Sequence, residues 1–89
     1  MKRIGKVTIE ERNEIQQLFE RRNALKELAK ILTAENDELY EKLISDIGRT
    51  NAEFQKWWDT MANKYQWESI VGHQWQIDFE TCDIWLIGN

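Results

Sequence analysis

Apolar residues recur at helical spacing from Ile9 to Tyr65 and at alternate positions thereafter. Thr8-Ile9-Glu10-Glu11 opens the first stretch as a capping box. The Thr8 hydroxyl is placed to accept from the Glu11 amide, and the Glu11 carboxylate to accept from the Thr8 amide. A helix is predicted over about 9–32, with Ile15, Leu18, Phe19, Leu25, Leu28, Ala29 and Leu32 as its apolar positions. Leu18, Leu25 and Leu32 are spaced by seven, and Ile15 and Ala29 lie on the adjoining row, which Arg22 interrupts. Such a seam can pair with another helix. Thr33 predicts a break and a cap. Glu35, Asn36 and Asp37 suit the positive end of a second helix. Leu39, Tyr40, Leu43, Ile44 and Ile47 make one stripe, and Gly48 suits a residue just past a helix end, giving a helix over about 34–47. Thr50-Asn51-Ala52-Glu53 reads as a second capping box opening a third helix, about 51–65, with Phe54, Trp57, Trp58, Met61 and Tyr65 on one face.

After Gln66 the period changes. Trp67 is a candidate start for a short strand, and Gly72-His73 reads as a turn. Trp75, Ile77 and Phe79 alternate with Gln76, Asp78 and Glu80, which predicts a half-buried strand over 74–79. Glu80-Thr81-Cys82-Asp83 is polar and turn-like, and a return strand follows over 84–87. The fold class predicted is α+β and mostly helical: three helices followed by a C-terminal β-hairpin, in one domain over 1–89. The first two helices should pair antiparallel, and the third should share an aromatic core with the hairpin.

Composition sharpens the division. Eight of the ten aromatic residues lie in positions 51–89, a segment with two lysines and six acids; the remainder of the chain balances its charges. A domain of this size buries about 60% of its unfolded surface, so tryptophans must supply much of the core or else serve an interface. The formal net charge of −4 argues against a binder of phosphate backbones, because Lys2, Arg3 and Lys6 are too few to make a basic face. The single cysteine, Cys82, excludes an intramolecular disulfide and fits a reducing compartment. No apolar run is long enough to span a bilayer, and Met1-Lys2-Arg3 is not followed by an apolar signal stretch. A cytoplasmic protein without membrane contact is expected.

Candidate chemistry is sparse. Cys82 lies beside Asp83, whereas a reactive thiol wants a positive environment, so an inert role is expected. His73 reads as an exposed turn residue; no CxxC, HxxxH or HExxH spacing is present, and neither metal nor cofactor is expected. Asp78, Glu80 and Asp83 read first as a solvated hairpin edge and second as paired carboxylates. Trp57 and Trp58 point about 100° apart on one helix, so one of them should reach a domain edge. That tryptophan is expected to line a groove against Trp75 and Trp85 of the hairpin, where Asp59, Asp78 or Glu80 would pair with a basic residue of a bound segment. Ile15, Leu18, Leu25 and Leu32 are expected to form the seam of a homodimer.

Several stretches together resemble a known family: Ile4-Gly5-Lys6-Val7-Thr8, Leu18-Phe19-Glu20-Arg21-Arg22-Asn23, Phe54-Gln55-Lys56-Trp57-Trp58-Asp59, Lys64-Tyr65 with Trp67-Glu68, and Trp75 with Ile77-Asp78-Phe79-Glu80-Thr81-Cys82. The chain is similar over most of its length to the CXXX repeat peptide modification system proteins. That resemblance implies an accessory role beside a ribosomally made precursor with Cys-x-x-x repeats and a radical S-adenosylmethionine maturase. With one cysteine this chain is not the precursor, and without a CxxxCxxC cluster signature it is not the maturase. A non-enzymatic adaptor that binds the precursor or the maturase is the leading expectation, and a free sheet edge is one way to hold such a peptide. Two alternatives come from the residues: a small acidic inhibitor or nucleic-acid mimic seated in a basic groove, and a structural protein that dimerises through its leucine seam.

Overall fold

The order of elements is β1 (Lys2–Lys6), α1 (Ile9–Ile31), α2 (Asp37–Tyr65), β2 (Gln74–Ile77) and β3 (Asp83–Ile87). The computed structural model describes residues 1–32 and 37–88. The fold is α+β, with an antiparallel helical hairpin laid on one face of a three-stranded antiparallel sheet. Among the described residues, no helix is long and apolar enough to cross a membrane.

The capping box at Thr8 is present. The Glu11 amide donates to Thr8 Oγ1 at 3.1 Å, and the Thr8 amide donates to Glu11 Oε1 at 2.9 Å. Helix α1 ends one turn past Leu28, whose carbonyl accepts from the Leu32 amide. The expected cap at Thr33 and the residues Glu35 and Asn36 lie outside the described residues.

The expected second and third helices are one. Gly48 does not end a helix, and Thr50 does not begin one: both lie inside α2. Thr50 is fully buried, and its hydroxyl donates back to the Asp46 carbonyl at 2.8 Å. That bond competes with the forward bond of a cap. The physical reason is phase. Leu43, Ile47, Thr50, Phe54, Trp57, Met61 and Tyr65 step by three and four across the supposed break, so one helix keeps the whole stripe on α1. An exposed helical glycine costs only about 0.5–1 kcal/mol, which that packing outweighs. The C-terminus of α2 is closed by Gln66 at φ 53°, whose amide donates to the Ala62 carbonyl at 2.8 Å.

The sheet has a third strand that the sequence pattern does not announce. β1 pairs with β3, and β3 also pairs with β2, so the order is β1-β3-β2 and both β1 and β2 are edges. β1 carries Lys2, Arg3 and Lys6, charges that protect an edge, and a bulge between Arg3 and Gly5. Trp67 does not start a strand. Its indole is buried against Gly5, where a Cβ would come within 2.6 Å of the ring nitrogen. β2 stops at Ile77, so Phe79 belongs to the turn and not to the strand.

Cross-strand pairing assigns the faces. Trp75 pairs with Leu86 and Ile77 with Ile84, and these four turn to the helices. Trp85 pairs with Gln76 and Arg3 on the opposite, uncovered face. The core contains Val7, Ile15, Trp57, Met61, Trp67, Cys82 and Ile84. Beyond the sheet the helical hairpin projects as an arm, giving a molecule of 46 × 29 × 21 Å.

Candidate functional site

The stepping of α1 and α2 aims a run of aromatic rings at the hairpin. Trp57 and Trp58 divide as neighbouring helical residues must. Trp57 is 6% exposed, and its indole N–H donates to the Glu11 carbonyl at 3.1 Å. Trp58 is half-buried. Its ring lies edge-on to Trp57 at 4.9 Å and nearly parallel to Trp75 at 6.4 Å, with Trp67 at 6.1 Å. Trp75 is held by its own indole N–H, which donates to the Glu68 carbonyl at 3.0 Å.

Trp58 and Trp75 form part of the wall of an open groove of about 400 Å³ between the helical hairpin and β2. Phe19, Phe54, Ile77 and Phe79 complete its apolar lining. On the far side of the same two tryptophans lies a second depression of about 340 Å³, beside Gln55, Ser69, His73 and Gln74. Arg22 is the charged residue in the first groove. Its guanidinium carbon sits 4.2 Å from the centre of the Phe54 ring and 5.6 Å from that of Phe19. Its Nε is shielded from solvent without a hydrogen-bond partner, and no carboxylate among the described residues pairs with it.

The groove runs beside a free strand edge. The Asp78 amide donates to the Asp83 carbonyl at 2.9 Å. Antiparallel alternation then turns the amides and carbonyls of Trp75 and Ile77 away from β3, toward the open side.

The other expected site residues are dispersed. Trp57 is core. Asp59 is exposed on α2 and accepts from Gln55 Nε2 at 3.1 Å. Asp78 caps the turn, accepting from the Glu80 amide at 2.9 Å. Asp78 and Glu80 line a different depression, about 660 Å³, on the uncovered face of the sheet with Gln76 and Trp85. Trp75 and Trp85 therefore serve opposite faces, and only Trp75 reaches Trp58. The groove holds an arginine, so the expected pairing of its acids with a basic residue has no geometry there. Of the expected dimer seam, Ile15 is fully buried inside the monomer and offers no free surface; Leu18 is half-buried against the core, and Leu25 and Leu32 are half-buried along the arm.

Phe19, Arg22, Phe54, Ile77 and Phe79 are groove residues that the site expectations did not include. Arg22 had a signal, because it breaks an otherwise apolar row. The others read as ordinary core positions.

The most perturbed ionisable group is structural. Burial alone would raise the Glu11 carboxyl, but bonds from Lys64 Nζ at 2.6 Å, the Thr8 amide, the Tyr65 hydroxyl and the Thr8 hydroxyl together lower it from 4.5 to about 2. The same carboxylate raises Lys64 and Tyr65 above their ordinary values, in each case chiefly through the hydrogen bond to Glu11. The clasp ties the start of α1 to the end of α2. Cys82 is buried at φ 64°, and His73 is exposed beside the turn. Among the described residues, no three His, Cys, Asp or Glu side chains converge as metal ligands would. Comparison with known protein families, curated proteins and solved structures finds no match to this chain.

Proposed function

We propose that this chain is a non-enzymatic accessory protein that holds an extended peptide in the groove beside β2. The observation that carries the reading is the half-buried Trp58–Trp75 pair set next to unpaired backbone of Trp75 and Ile77. Aromatic rings at the mouth of an apolar cleft supply contact area, and a free edge supplies main-chain bonds; together they are the parts of strand-addition recognition. The resemblance gives the setting: a cytoplasmic peptide-maturation system in which the bound segment belongs to the Cys-repeat precursor or to its radical S-adenosylmethionine maturase. Titration of the reduced precursor peptide, followed by amide shifts, tests this. Shifts should centre on Trp75 and Ile77, and Trp58→Ala should weaken binding by about 2 kcal/mol. Saturable binding with no change at Trp75, Ile77 or Trp58 would sink it.

The arm favours a second role, self-association. Leu28, Ile31, Leu39, Tyr40 and Ile44 are exposed on it, beside the half-buried Leu25 and Leu32 of the expected seam. Sedimentation at tens of micromolar tests this second role. A mass that stays near 10.7 kDa would reject it.

A further inference from the structure

We infer that the groove selects an extended peptide carrying a carboxylate side chain two residues from an apolar one, with Arg22 as the counter-ion. The inference rests on the peptide-binding reading above and adds the chemistry of the bound segment.

Arg22 occupies a seam position. Ile15, Leu18, Leu25 and Ala29 continue the row on either side of it, and an apolar residue there would extend the packing. The guanidinium carbon instead sits 4.2 Å from the centre of the Phe54 ring, and its Nε has no acceptor among the described residues. Guanidinium is a planar donor fork matched to a carboxylate, and an ion pair over an apolar floor is stronger than one in open water. The lone charge is therefore an unfilled half of a pair.

The charge distribution fixes the sign of the ligand. The chain is net acidic, yet its acids are placed elsewhere: Glu11 in the clasp, Asp59 on the outside of α2, Asp78 and Glu80 across the sheet. Arg22 is the ionisable side chain that lines the groove. A basic segment would be repelled by Arg22, and a neutral one would bury it unpaired.

The strand edge fixes the spacing. A strand added beside β2 turns every second side chain toward the helical layer, about 6.6 Å apart. One such side chain would reach Arg22, and the next on that face would lie over Trp58 and Trp75.

Short extended peptides of alternating Ser and Val, with one central Val replaced by Glu, Gln or Lys, are the probes. Calorimetry at about 50 mM salt should show the Glu peptide binding roughly tenfold tighter than the Gln peptide, and the Lys peptide weakest. Salt near 500 mM should bring the Glu and Gln peptides to within about twofold, as should Arg22→Gln, whereas Arg22→Lys should keep part of the preference. Amide shifts at Trp75 and Ile77 report whether each peptide sits on the edge. Equal affinities for the Glu and Gln peptides, with those shifts present, would overturn the charge selection and leave the peptide reading standing. No shift at either amide with any peptide would overturn both. The peptide and salt comparisons use the unmodified chain, so they decide the matter even if Arg22→Gln folds poorly.

Discussion

The two ends of the helical hairpin are built on the same three-and-four stepping and end in opposite conditions. Near the sheet, Ile15, Trp57 and Met61 are almost wholly buried, and Glu11, Lys64 and Tyr65 clasp the helices together. On the arm, Ile31 is 75% exposed and Leu39 50%, and among the described residues there Leu43 is a buried exception. Periodicity decides which residues face the partner helix. It does not decide how many faces are covered. Two helices alone bury one narrow seam, and the sheet supplies the third wall that turns a seam into a core. Position relative to the sheet, rather than hydrophobicity, separates a core residue from a surface one.

The comparison is broken most directly by paired substitutions. Trp57→Ala removes a buried indole and the bond to the Glu11 carbonyl, and should cost about 3–5 kcal/mol. Ile31→Ser on the arm should stay within about 0.5 kcal/mol in the monomer. Urea unfolding measures both. Similar losses at the two sites would mean that the arm is as integrated as the sheet-backed end.

Acid offers a second handle on the clasped end. The folded pKa of Glu11 is about 2, below its ordinary 4.5, so its stabilisation is fully present above about pH 4.5. Protons then remove it as pH falls from 4.5 toward 2. On this account Glu11 contributes on the order of 3 kcal/mol at neutral pH. Glu11→Gln should lose that amount and show a flatter stability profile across the same window. A variant as acid-sensitive as the parent would place the effect on other carboxylates.

Much of this architecture is legible in local chemistry. The Thr8–Glu11 capping box, the start of α1, the alternation of Trp75 and Ile77, and the division of labour between Trp57 and Trp58 all follow from neighbouring residues. What fails is long-range. β1 is invisible because Lys2, Arg3 and Lys6 outweigh Ile4 in any local pattern, and only pairing with β3 makes it a strand. Thr50 and Gly48 carry the local marks of a helix boundary, and the unbroken stripe from Leu43 to Tyr65 overrides them. The groove was half legible. Helical facing and strand alternation set one of Trp57 and Trp58 against the hairpin tryptophans, without deciding between the two or separating Trp75 from Trp85. The charge beside them comes from α1, more than thirty residues before Trp58 in the chain.

Gly48 gives the smallest effect and tests where the two regions join. It lies in α2 between Leu43 and Thr50, is exposed, and has nothing within 4 Å of where a Cβ would stand. In a continuous helix Gly48→Ala adds no clash and reduces the freedom of the unfolded chain. It should therefore stabilise by about 0.5–1 kcal/mol. Were Gly48 a left-handed residue closing a separate helix, the same change would instead destabilise by roughly 1–2 kcal/mol. The two cases differ in sign, so even a modest shift in the urea midpoint decides between them. A stabilised variant means that the arm and the clasped end share one rigid α2. A destabilised one means that the arm is hinged to the sheet-backed end.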